Sequence, residues 1–295
     1  ALGVGYERPN RSHFRSIEIW NSGSSAEETL RDGWLQRVMA ETGITAASAP
    51  EGFAAQGIVL GGPEGPLAGP ALSPVLMRDP RQLGEARRLL DGGGPEGSDR
   101  NPALRHILAT RARMQTAALE IERYLADAPE PDADFPNTAI GRQLALAARL
   151  IVAEVPASLI KLQHSGYDTH AQQAGRHAAL LSELAVGLTA FRQAMVKSAA
   201  WQRCLVMTYA EFGRRVAENA SGGSDHGTAA PHFLLGGRVR GGFLGEQPPL
   251  EDLEAGDLRP SIDFRRLYAG LAQDWLGLPP APASLGRQAG LAFLA

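Results

Sequence analysis

The stretch "RCLVMTY", residues 203–209, constrains the fold of this chain more than any other. It is a near-continuous apolar run. Such runs mark a strand covered on both faces, the environment of a parallel sheet with helices on either side. Further strand candidates are "ALGVGY", "GIVLGG", "ASLIKLQ" (157–163) and "PHFLLGG". Helical patterns separate them. Phe14, Ile17 and Trp20 recur at helical spacing after a start at Asn10 to Ser12. Leu30, Trp34, Leu35 and Val38 do so in "AEETLRDGWLQRVMAE", and Leu181, Leu184, Leu188, Phe191 and Met195 do so between Gln172 and Val196. "SIDFRRLYAGLAQDWLGL" reads as a closing helix with Ser261 as its N-cap and Phe264, Leu267, Leu271 and Trp275 inward. Strands alternating with helices predict an α/β fold with a largely parallel central sheet flanked by helices.

Residues 80–154 read as a helical insertion within a single domain spanning 1–295. Its two breaks, "DGGGPEGSDRNP" and "PEPDADFPN", have the composition of loops. At 295 residues, with 44% hydrophobic and 21% charged residues, the chain can bury a sizeable core. A net charge of -3 argues against a broad nucleic-acid footprint. The single cysteine, Cys204, excludes an intramolecular disulfide and reads as a buried small hydrophobe. No apolar run approaches the ~20 residues of a membrane span. The chain opens without Met and without a charged-then-apolar leader, so a processed or trimmed product is expected.

In open α/β sheets, ligands bind beyond the carboxyl ends of the strands. Just past "ASLIKLQ" stand His164, Asp168 and His170, and just past "RCLVMTY" stands Glu211, followed by Arg214 and Arg215. "GGSDHGTAAP" adds Asp225, His226 and Thr228 before the next strand candidate. A turn needs those glycines but not an adjacent acid–imidazole pair. Mixed imidazole and carboxylate donors suit Zn, Mn or Fe better than Ca.

Each residue also has a structural reading. Asp168 to His170 could cap the following helix, Glu211 could be a first-turn acid, and Asp225 could fix its own turn. His13, His106 and His177 lie on predicted helices, where solvation or capping is the default, and His164 and His232 are read as structural. "GVGYER" is an incomplete dinucleotide loop, and "DGGGPEG" lacks the Lys-Ser/Thr of a phosphate cradle.

"GVGYERPNRSHFRSIEIW", "GYDTHAQQ", "MTYAEFGRRVAENASGGSDHGTAAPHFLLGG", "GGFLGEQPPL" and "DFRRLYAGLAQDWLG" together resemble a bacterial family, domain of unknown function 1501, from Leu2 to about Leu278. The resemblance implies twin-arginine export to the periplasm or beyond, and a fold related to the alkaline phosphatase and sulfatase superfamily. It implies metal ligands at Asp168, His170, Glu211, Asp225 and His226. Phe212 stands where the superfamily has an imidazole. Ser12 stands near the superfamily nucleophile, although an N-cap serine fits the same position. The superfamily's first strand, with its Asp ligand, would lie before Ala1. Either that part was lost in processing or the sheet lacks its first strand.

Two functions follow as expectations. The first is an exported hydrolase of phosphate or sulfate esters, small or polysaccharide, using a divalent metal such as Zn or Mn. Ser12 would be the nucleophile, with Arg15 and Arg214, or Arg11 and Arg215, holding the anion. The second is a non-catalytic secreted scaffold that keeps the fold and binds polysaccharide or a protein partner.

Overall fold

Side chains of the short strands alternate between two hydrophobic clusters, which fixes a two-faced sheet with a core on each side. The computed structural model describes residues 1–43, 56–70, 72, 74–77, 101–280 and 282–295. Strand β2 (Gly57–Val59) lies parallel between β3 (Val75–Leu76) and β4 (Leu159–Lys161), with Ile58 opposite both Val75 and Ile160. Strand β5 (Leu205–Met207) pairs antiparallel with β8 (Leu234–Gly236). The segment entering β8 continues onto β1 (Val4–Gly5): Val4 and Ala230 exchange backbone hydrogen bonds of 3.0 and 2.9 Å. β1 in turn runs parallel to β11 (Ile262–Asp263). These strands form two successions, β3–β2–β4 and β5–β8–β1–β11, and among the described residues β4 and β5 do not pair.

One face packs on helices α3 (Pro102–Ala126), α4 (Ala139–Val152) and α5 (Gln173–Lys197). There Ile58, Leu60, Ile160 and Val206 meet Ile121, Leu144, Ala148, Phe191 and Met195. The other face, with Val59, Leu159, Leu205 and Met207, meets α1 (His13–Ser22), α2 (Trp34–Glu41) and α6 (Phe264–Gly270). Its centre is aromatic. Trp34 stacks on Tyr268 at 4.3 Å and Trp20 on Phe264 at 4.3 Å, and the Tyr268 hydroxyl donates to the Trp20 carbonyl at 3.1 Å. Such stacked pairs add about 0.5–1.5 kcal/mol each beyond their burial.

The fold is thus mixed α/β, with several small, partly parallel sheets rather than the single large sheet expected. β5 has an antiparallel partner, and its residues stay only partly buried although a cluster packs against each face. The second predicted helix is shorter, because Gly33 sits extended against the Pro66 carbonyl, where a Cβ would collide, and only Trp34 onward is helical. Ile19 and Trp20 are buried on α1, whereas Phe14 points outward at 88% exposure. On α5 Leu181 is exposed, while Phe191 and Met195 are buried. The closing helix is capped by Asp263, whose carboxylate accepts from the Arg265 N–H at 2.9 Å; Ser261 instead reaches the Gly3 and Glu246 carbonyls. α5 is long and apolar enough to cross a membrane by length and composition alone, although its Phe191, Ala194 and Met195 pack into the helical core. The expected helix and loop over residues 80–100 lie outside the described residues.

His232 is 3% exposed beside Trp20, with its Nε2 lacking a hydrogen-bond partner. Burial pushes its pKa down to about 4. The buried neutral ring therefore contributes stability that is complete above its ordinary value of about 6.5 and is lost as pH falls toward about 4. Urea midpoints measured across that window should drop for the native chain, by up to roughly 3 kcal/mol in stability, and drop less for His232→Phe.

Candidate metal centre

Four chain segments build one rim. His13 opens α1, Asp168 and His170 lie in the loop between β4 and α5, and Glu211 follows β5. The fourth is a hairpin of β6 (Arg214–Glu218) and β7 (Ser224–His226), in which Arg214 and His226 are directly paired. Glycines let this hairpin press close. A Cβ on Gly223 would collide with the His170 carbonyl, and one on Gly227 would collide with the backbone of Arg214. The hairpin turn also supplies the start of α5. Gln172 and Gln173 donate their N–H groups to the Ser221 and Gly222 carbonyls at 3.1 and 2.8 Å. Asp168 is therefore not the helix cap, and Glu211 precedes a strand rather than a helix.

Asp168 is the hub. Its Oδ2 lies 3.3 Å from His13 Nε2, and its Oδ1 lies 3.0 Å from His170 Nε2 and 3.1 Å from His226 Nε2. The opposite nitrogen of each ring faces an oxygen: His13 Nδ1 meets Glu211 Oε1 at 2.6 Å, His170 Nδ1 meets Asp225 Oδ1 at 3.4 Å, and His226 Nδ1 meets the Arg11 carbonyl at 2.8 Å. Carboxylate and carbonyl oxygens only accept, and each ring has one at either nitrogen; the proton stands on Nδ1 in the tautomer that a cation among the Nε2 atoms would select. In a neutral ring the Nε2 is then a bare lone pair. Three such lone pairs converge on one carboxylate, and two of them, on His170 and His226, stand only 2.9 Å apart. Lone pairs that close repel unless a cation or a proton lies among them.

This is the arrangement of histidine ligands held by outer oxygen partners. The donor atoms of His13, Asp168 and His226 all lie within 4.8 Å of one another, and His170 adds a third imidazole. The N₃O set fits Zn, Mn or Fe. Phe212 stacks on His226 at 4.3 Å and lies 5.1 Å from His13, forming an apolar wall beside two of the rings.

Arg214 holds the hub. It donates to Asp168 Oδ1 at 2.8 Å and to Ser224 Oγ at 3.2 Å, with a further bond to the Ser224 carbonyl. All three nitrogens are engaged, so this guanidinium positions Asp168. Burial pushes the Asp168 pKa up, but Arg214, His226, His170 and His13 together outweigh it and hold it at about 2. Arg15 turns to Glu18 Oε2 at 2.8 Å and to the Ala26 and Glu28 carbonyls. Arg11 and Arg215 share the buried Asp257 carboxylate at 3.1 and 3.3 Å, which leaves one surplus positive charge beside the rim. Ser12 occupies the N-cap position of α1 but makes no side-chain cap bond; it is exposed and immediately precedes His13 in sequence.

The chain therefore brings Asp168, His170, Glu211, Asp225, His226 and Arg214 together. Glu211 and Asp225 meet imidazoles, and Arg15 faces elsewhere. Sequence reasoning passed over His13. Its signal was its place just after the first strand candidate, on the same rim as the other loops.

Residues 11–279 match the family model described as "Protein of unknown function (DUF1501)", and the chain belongs to that family. No curated protein and no solved structure matches it.

Because its folded pKa is depressed, Asp168 contributes stability present above its ordinary value near 4 and lost as pH falls through about 2. In metal-free protein, Asp168→Asn should be less stable than the native chain at pH 5, and the gap should narrow by pH 2, as read from urea midpoints.

Proposed function

We propose that the rim is the active site of an exported, metal-dependent hydrolase of phosphate or sulfate esters. The observation that carries this reading is the convergence of three Nε2 atoms on Asp168, with an oxygen facing each Nδ1. His13, Asp168, His170 and His226 would hold the ion, and Glu211 and Asp225 would orient two of the rings. A divalent ion bound there supplies Lewis-acid polarisation of an ester oxygen and lowers the pKa of a hydroxyl or water beside it. Ser12, unused as a cap, is the nearby hydroxyl suited to attack. Arg11 and Arg215, which share one carboxylate, would meet the anionic ester. Export and a periplasmic or secreted location rest on the family resemblance.

Phe212 favours a second reading. With an apolar ring where the wider superfamily has an imidazole, the chain could keep a single structural ion and serve as a secreted scaffold binding polysaccharide or protein.

Metal analysis after equilibration with Zn or Mn should give a stoichiometric ion, lost in His226→Ala. Glu211→Gln should retain binding but weaken it about 10–100-fold, as expected of an outer partner rather than a ligand. The loaded protein should turn over a nitrophenyl phosphate or sulfate, and Ser12→Ala should abolish turnover without changing metal content. Turnover that survives Ser12→Ala removes the serine from the reaction. A loaded, folded protein with no turnover supports the scaffold, and failure to bind metal rejects both forms of the site.

A further inference from the structure

Two buried hydroxyls link the segments that meet at the rim. Ser16 lies one turn after His13, on the same side of α1, and is 0% exposed. Both side chains reach Glu211. His13 Nδ1 meets its carboxylate at 2.6 Å, and the Ser16 hydroxyl donates to its carbonyl. Ser16 Oγ also lies 2.8 Å from the hydroxyl of Tyr6, which is buried with its ring edge-on to Phe264 at 5.9 Å. The Tyr6 oxygen in turn lies 3.0 Å from the Asn10 nitrogen.

Proton counting gives this chain one direction. A carbonyl only accepts, so the single Ser16 hydroxyl proton goes to Glu211. Towards Tyr6, Ser16 Oγ can then only accept, and the Tyr6 proton is committed to it. The Tyr6 oxygen accepts from the Asn10 N–H, and the Asn10 carbonyl 3.2 Å away receives no proton from it. The bonds therefore run from the Asn10 N–H through Tyr6 and Ser16 to the Glu211 carbonyl. Each end stands beside a group that faces a ring. Glu211 faces His13 through its own carboxylate, and Asn10 precedes Arg11, whose carbonyl lies 2.8 Å from His226 Nδ1. Asn10 Oδ1 also accepts from the Ser12 N–H at 2.8 Å, which closes the turn around Arg11.

Resting on the reading of the rim as a metal site, we infer that Tyr6 and Ser16 are positioning residues for its cation. Their chain fixes the spacing between the Arg11 and Glu211 oxygens. Through those oxygens it fixes the directions in which His226 and His13 present Nε2. Neither hydroxyl bonds to a ring or to Asp168, so both act through the outer oxygens. Ser22 is the internal control. It is buried on the same helix and its hydroxyl donates to the Glu18 carbonyl at 2.7 Å, at the end of α1 opposite His13.

The test titrates the 295-residue chain with Co(II) and records its visible absorption, with Tm measured alongside. Ser16→Ala and Tyr6→Phe should each weaken Co(II) binding about 10–100-fold and alter the spectrum of the bound ion. The double variant should bind no more weakly than the worse single, because either change opens the same chain. Ser22→Ala should lower Tm while leaving Kd and spectrum native. Tyr6→Phe keeps its ring against Phe264 and carries the test should Ser16→Ala fail to fold. Native Kd and spectrum in the folded variants, an equal loss in Ser22→Ala, or full additivity in the double variant overturns the positioning role alone. A native chain without affinity for Co(II) overturns the metal site, and the positioning role with it.

Discussion

The ion pair between Asp168 and Arg214 is the interaction on which the rim depends. Arg214 is the first residue of the β6–β7 hairpin, and Asp168 belongs to the loop leaving β4, so one contact joins two separate connections. Once Asp168 is fixed, its two oxygens set the positions at which three imidazoles can meet it. Burial of the carboxylate alone would favour its neutral form. The guanidinium and the surrounding rings reverse that, so the hub remains anionic and able to collect positive charge.

Close backbone packing makes this contact possible. Gly223 against His170 and Gly227 against Arg214 bring the hairpin to a distance that side chains at either position would forbid. Asn219 reinforces the approach, donating to the His170 carbonyl at 3.0 Å while its own Oδ1 accepts from Ser221 and Gly223. The glycines of "GGSDHG" thus do more than turn the chain. They let an imidazole at its end reach a carboxylate from another loop.

Much of this was legible in the sequence because strand ends are legible. Short apolar runs located β2, β4, β5 and β8, and the residues just beyond them included Asp168, His170 and Glu211. Other features depend on contacts that no local pattern encodes. "GRRVAE" carries strong helix formers but is strand β6, because Arg214 and His226 must pair across the hairpin. The outward direction of Phe14 and the inward one of Ile19 depend on which face of α1 meets Trp34 and Tyr268. The orientations of the three rings are set by Glu211, Asp225 and the Arg11 carbonyl, each distant in sequence from the ring it faces. His13 looked like any exposed helical histidine until α1 was packed against the loop after β5.

The donors at the rim come from chain positions as distant as 13 and 226, and the contact between His170 and His226 alone closes a separation of 56 residues. An ion held there would act as a removable cross-link. It would gather α1, the β4–α5 loop and the hairpin into one cooperative unit, and its escape would require one of the three to swing away first. The lifetime of the bound ion would therefore measure how often any one of the three lifts from the other two.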